Sequence, residues 1–168
     1  QVAYLLGAPI VINHVGRIPE DEQDDEFLLL VETLTDVGRH GQRVGALLAA
    51  ETGAEDGAGL ARLIDALPEG SLAVAFDPGN LIVNGHSPLD ALAHLGPHVR
   101  SVHARDGTRD LARGRGCETE LGRGSVDFPA VLAALEDHAY RGYLTVARDH
   151  AADPVAEFGG AVEFLKNI

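Results

Sequence analysis

Leu72-Ala73-Val74-Ala75-Phe76-Asp77-Pro78-Gly79 is the stretch whose reading decides the fold. Residues 72–76 are an unbroken apolar run of strand length. The run stops at a carboxylate, and Pro78-Gly79 turns the chain. The same order recurs on either side. The β-branched run Ile10-Val11-Ile12-Asn13 leads to His14, residues 44–50 lead to Glu51, and residues 99–102 lead to His103. A fifth strand is expected at 143–147, after the turn Arg141-Gly142.

Helical signals fill the intervals. Residues 1–8 read as a helix end, stopped by Gly7 and Pro9. Phe27, Leu30, Val31, Leu34 and Val37 follow helical spacing, with acidic residues in the first turn to complement the helix dipole. Leu60, Leu63, Ile64 and Leu67 share a face over 57–67, and further helices are expected at 88–94, 128–138 and 154–166. Residues 105–125 read as a polar loop rich in glycine and arginine, including Arg105, Arg109, Arg113 and Arg115; such a run is more often solvated than anion-binding. Strands alternating with helices imply a parallel sheet. An open doubly wound sheet would carry a glycine-rich phosphate loop after its first strand, and none stands there. A barrel instead sets polar residues at the C-terminal ends of several strands, which is the pattern here.

Composition limits the function. At 168 residues and 45% hydrophobic, the chain fits one domain with a packed core. Its formal net charge of −13 argues against nucleic acid and anionic membranes as partners. The single cysteine, Cys117, allows no intrachain disulfide and suits a reducing compartment. With no spanning apolar run and no signal-peptide pattern at the N-terminus, a cytoplasmic location is expected.

His14, Glu51, Asp77 and His103 carry the chemistry. Parallel strands bring their C-terminal ends to one face, so these four converge although far apart in sequence. Two carboxylates with imidazole suit a divalent ion such as Mn, Mg, Co or Zn. Each residue alone has a plainer reading: Glu51 as a helix cap, Asp77 as a turn residue, His103 and His14 as satisfied strand-end histidines. Their shared placement favours the metal.

The segments Asn13-His14-Val15-Gly16, Ala50-Glu51-Thr52, Phe76-Asp77-Pro78-Gly79-Asn80, Val102-His103-Ala104-Arg105-Asp106-Gly107 and Leu121-Gly122-Arg123-Gly124-Ser125-Val126-Asp127-Phe128 resemble the sugar isomerase/epimerase family, within the xylose-isomerase-like TIM barrels that also include endonuclease-IV-type repair nucleases. The resemblance implies an α/β fold: about five βα units forming the C-terminal portion of a (β/α)8 TIM barrel. It implies a metal held by Glu51, Asp77 and His103, with Glu51 also catalytic, moving a proton through an enediolate on a sugar or sugar phosphate. It places substrate contacts at His14, Asn80, Asp106 and Arg109.

Two departures follow from the same comparison. The family carries a second glutamate, both ligand and acid/base partner, where this chain has Ala147; Asp149, two residues on, is the nearest substitute on the same face. Asn80 stands where many members have histidine. The match begins near the family's fourth strand, and a barrel needs eight strands and about 250 residues. Residues 1–168 are therefore expected to form one partial barrel domain lacking its N-terminal βα units, with open edges that a second copy would cover. A non-catalytic binding module, a hydrolase of the repair-nuclease kind and a dehydratase remain as alternatives. The charge and the scattered histidines weigh against the hydrolase.

Overall fold

The computed structural model describes residues 2–109 and 116–168. Arg113 and Arg115 of the arginine-rich loop lie outside the described residues. Five parallel strands make one sheet in the order β1 (Ile10–Asn13), β2 (Leu47–Glu51), β3 (Ala73–Phe76), β4 (Val99–Ala104) and β7 (Leu144–Val146). The sheet forms a half-barrel whose edge strands are β1 and β7. Helices α1 (Val2–Leu5), α2 (Asp25–Val44), α3 (Gly57–Asp65), α4 (Pro78–Asn84), α5 (Pro88–Leu95), α6 (Phe128–Asp137) and α7 (Pro154–Lys166) connect or flank the strands. No helix is long and apolar enough to cross a membrane, among the described residues.

Period-two alternation divides the strand residues between two layers. One face carries Ala50, Val74, Phe76 and Val102, packed with Phe27, Leu34, Leu63, Leu81 and Leu92 from the helices into the main core. The other face carries Ala49, Ala73 and Ala75, with Ile10 and Ile12 beside them. The register pairs Glu51 with Ala75, and His103 with Thr145. Glu51, Asp77 and His103 therefore continue the small-residue face by one layer, at the C-terminal end of the sheet.

Three local readings are corrected. The second strand starts at Leu47 rather than near residue 44, because α2 runs through Gly38 and Gly41 to a left-handed Gly45 cap (φ 73°). The glycines serve packing: a Cβ on Gly38 would stand 2.6 Å from Ser71, and one on Gly41 2.8 Å from the Ala46 carbonyl. Pro78-Gly79 does not merely turn the chain. Proline is tolerated in a first helical turn, where its missing N–H costs nothing, and here it opens α4. Asp77 is the N-cap. The loop from 105 to 125 contains an antiparallel hairpin, β5 (Asp106–Thr108) with β6 (Cys117–Thr119). Short strands rich in polar residues and glycine carry no alternation by which sequence could find them.

Candidate metal centre

Glu51 ends β2, Asp77 follows β3 and His103 is the next-to-last residue of β4. One ligand atom from each lies within 4.8 Å of the others. His103 Nδ1 stands 2.8 Å from Glu51 Oε1 and 4.0 Å from Asp77 Oδ2. The Asp77 side chain is fully buried, while those of Glu51 and His103 are 16% and 19% exposed. Solvent thus reaches the centre through Glu51 and His103 rather than through Asp77.

Neighbouring loops hold Asp77 in place. Its backbone N–H donates to Thr52 Oγ1 at 2.8 Å, and its Oδ1 accepts from the Asn80 N–H at 2.8 Å. The second oxygen, Oδ2, is buried with no hydrogen-bond partner among the described residues. This oxygen accepts no hydrogen bond, and its near neighbours are a carboxylate, an imidazole and the Arg105 guanidinium at 3.4 Å, so its lone pairs are free for a cation. The residues present therefore fit a divalent metal through three donors.

The charges agree with this. Burial pushes the Asp77 carboxyl up to about 6. The hydrogen bond with His103 holds Glu51 below the ordinary carboxylate range, with burial opposing and the imidazoles adding attraction. The same hydrogen bond raises His103 above the ordinary imidazole range, against its own burial. Without metal, His103 and Glu51 share a proton that an incoming cation would displace.

The other expected site residues divide. His14 joins the centre: its Nε2 lies 3.2 Å from Glu51 Oε2 and its ring is exposed. Asn80 lies beside the centre, but its amide is already engaged. Nδ2 donates to the Thr52 carbonyl at 2.8 Å, and Oδ1 accepts from Asn84 at 3.1 Å. It locks the turn after β2 to α4 instead of facing a substrate.

Asp106 is buried, and its carboxylate accepts from the N–H groups of Gly107, Gly122, Gly124 and Val126 at 2.8–3.2 Å. A carboxylate with four backbone donors holds a loop and has no oxygen to spare for substrate. Arg109 is not brought to the centre. Its guanidinium donates to the Gly85 carbonyl at the far end of α4 and lines an outer cavity with Asp56 and His86. The basic residue at the centre is Arg105, whose Nε stands 3.4 Å from Asp77 Oδ2 and whose Nη2 reaches Asp149 at 3.1 Å. Its place two residues after His103 was the available signal. Glu118, 3.4 Å from Arg105, comes from the unforeseen hairpin and had none.

At the fourth corner, the Ala147 N–H donates to the Ala104 carbonyl at 3.3 Å and continues β7 past its last registered residue. Asp149 pairs with Arg105 and lies outside the three-residue group found among the described residues.

Known proteins share this architecture. The chain is 30% identical to a xylose isomerase domain protein from Planctomyces limnophilus, with a TM-score of 0.87, covering 98% of this chain and 59% of that one. It superposes on a D-allulose 3-epimerase from Methylomonas sp. in complex with D-allulose with a TM-score of 0.73 at 18% identity, over 99% of this chain and 65% of that one. It is 24% identical over 163 residues to the inosose dehydratase of Bacillus thuringiensis (strain Al Hakam), covering 85% of this chain. The chain spans 55% of that relative's length. A family model described as a xylose isomerase-like TIM barrel matches residues 1–168, and the chain belongs to that family.

Proposed function

We propose that this chain carries the metal-site portion of a sugar or sugar-phosphate isomerase/epimerase, which moves a proton on a carbon beside a carbonyl. The observation that carries the reading is the convergence of Glu51, Asp77 and His103 around the orphaned Asp77 oxygen. Those three side chains would hold the divalent ion. The ion, when bound, supplies Lewis-acid polarisation of the substrate's carbonyl and hydroxyl oxygens.

Glu51 is the base. It sits between two imidazoles, so its carboxylate stays ionised and ready to take a proton at Oε2, the oxygen nearer the solvent-exposed His14. His14 orients that oxygen and receives part of the charge. Asp77, fully buried, holds its geometry through Thr52 and Asn80.

A second reading, dehydration, is favoured by Ala147 and by the likeness to inosose dehydratases. Inverting a carbon needs an acid on the face opposite the base. A methyl at 147 cannot donate a proton, whereas a β-hydroxyl can leave as water by taking back the proton that Glu51 has removed from the carbon, with no donor at 147.

Solvent exchange tests both readings. The chain with Mn²⁺ is incubated in deuterated water with keto-sugars and keto-cyclitols, and proton spectra are recorded. Deuterium at a single carbon beside the carbonyl, lost in Glu51→Gln, is expected; an epimer or an unsaturated product then separates the readings. No exchange by the metal-loaded chain would overturn both.

A further inference from the structure

Arg105 immediately follows the last registered residue of β4, and Ala147 immediately follows that residue's partner on β7. The Arg105 guanidinium reaches past the end of β7, where Nη2 meets Asp149 Oδ1 at 3.1 Å. Nε stands 3.4 Å from Asp77 Oδ2 and 3.4 Å from Glu118 Oε1. Glu118 closes the ring by accepting from the Asp149 N–H at 3.1 Å. Nε and Asp77 Oδ2 are both buried and neither has a hydrogen-bond partner among the described residues. Their contact is one of charge, without a shared hydrogen. Beside the position at which the resemblance calls for a carboxylate, the guanidinium spans from Asp77 to Asp149, two residues beyond Ala147.

We infer that Arg105 is the built-in counter-cation of this centre, a positioning residue that neutralises Asp77 in the metal-free chain and opposes a divalent ion when one binds. The inference rests on the metal reading of Glu51, Asp77 and His103. A buried carboxylate without a partner is costly, and the guanidinium removes that cost. The same fixed positive charge, in contact with a ligand carboxylate, lowers that ligand's affinity for any other cation. Asp149 and Glu118 offset part of the charge, so the affinity depends on how β7 and the hairpin hold the guanidinium. The Arg105–Asp149 contact thereby ties metal binding to elements that contribute no ligand.

Calorimetric titration with Mn²⁺ at mildly alkaline pH decides it, on the full chain and on Arg105→Gln, Arg105→Lys and Asp149→Asn. Arg105→Gln is expected to bind about tenfold tighter or more, the scale on which a neighbouring guanidinium shifts a carboxylate's affinity for a proton. Arg105→Lys should stay near the original affinity. Asp149→Asn should bind several-fold more weakly, because the guanidinium then keeps more of its charge. A merely structural Arg105 would make Arg105→Gln bind more weakly or no differently, and that result overturns the inference. Should Arg105→Gln fail to fold, Asp149→Asn decides alone, since that side chain is 64% exposed; equal or tighter binding there overturns the inference. No binding by the original chain or any variant would bring down the metal reading together with it.

Discussion

Asp77 does two jobs with two oxygens. Oδ1 caps α4 and Oδ2 faces Glu51, His103 and Arg105. Asparagine can still cap a helix but is a poor cation ligand. Asp77→Asn should therefore leave the fold intact and weaken Mn²⁺ binding by about 100-fold or more, since losing even an outer partner of a ligand costs 10–100-fold. Circular dichroism alongside the titration separates the two effects; a folded variant with unchanged affinity would remove Asp77 from the centre. Acidity acts on the same atom. In the metal-free chain Asp77 takes up its proton at about 6, above the ordinary aspartate value, and His103 keeps its proton to higher pH than a free imidazole. A cation must displace both protons, so the sign is fixed: affinity rises with pH. Below the Asp77 value it should fall by about tenfold per pH unit for that proton alone. Titrations on both sides of that value check it, and a flat profile would contradict the ligand set. At the fourth corner, Ala147→Glu should tighten Mn²⁺ binding; equal affinity would mean that position 147 is not at a ligand position.

Among the elements, residues 122–126 between β6 and α6 hang on one side chain. Asp106 accepts four backbone N–H groups, three of them from residues 122–126. Asp106→Ala leaves those donors without their acceptor in a partly buried place. The expected loss is about 2–4 kcal/mol of folding stability, from several missing hydrogen bonds to a charged acceptor. Denaturant unfolding measures the loss, and amide exchange should quicken first at Gly122, Gly124 and Val126. Uniform quickening across the sheet would instead mean that the loop carries no separate stability. The same segment explains a misread loop. Gly-Arg-rich polar sequence gave no periodicity, yet a buried aspartate organised it by hydrogen bonds over 16–20 residues of separation.

The described residues form a half-barrel with two strand edges. The edge strand β1 and the adjoining α1 leave Val2, Tyr4, Leu5, Leu6 and Val11 exposed, and the other edge leaves Tyr143 and Val155 exposed. Unpaired strand edges beside apolar side chains favour association. This chain alone is expected to self-associate and to bind a hydrophobic dye; a monodisperse monomer with no dye binding would contradict that. Metal should act globally too. Mn²⁺ at about 100 times its dissociation constant should add about 2.7 kcal/mol to stability, if it binds only the folded chain. A melting temperature unmoved by Mn²⁺ would argue against a site made by the fold.

Much of this could be read from residues in order. Apolar runs ending at Glu51, Asp77 and His103 were visible because a parallel sheet sends every strand's C-terminal end to one face, and short-range pattern is enough to find a strand. That Ala147 stands where a carboxylate is called for came from the family resemblance and not from the strand pattern. Arg105, Asp106 and Arg109 stand within one polar loop, and the resemblance favoured Asp106 and Arg109 as substrate contacts and passed over Arg105. Tertiary structure separated them. It turned Arg105 onto Asp77, buried Asp106 under four N–H groups and carried Arg109 to the far end of α4. Strand ends are set by local hydrophobic pattern, whereas the direction of a loop side chain is set by partners distant in the chain, and only the folded molecule brings those partners within reach.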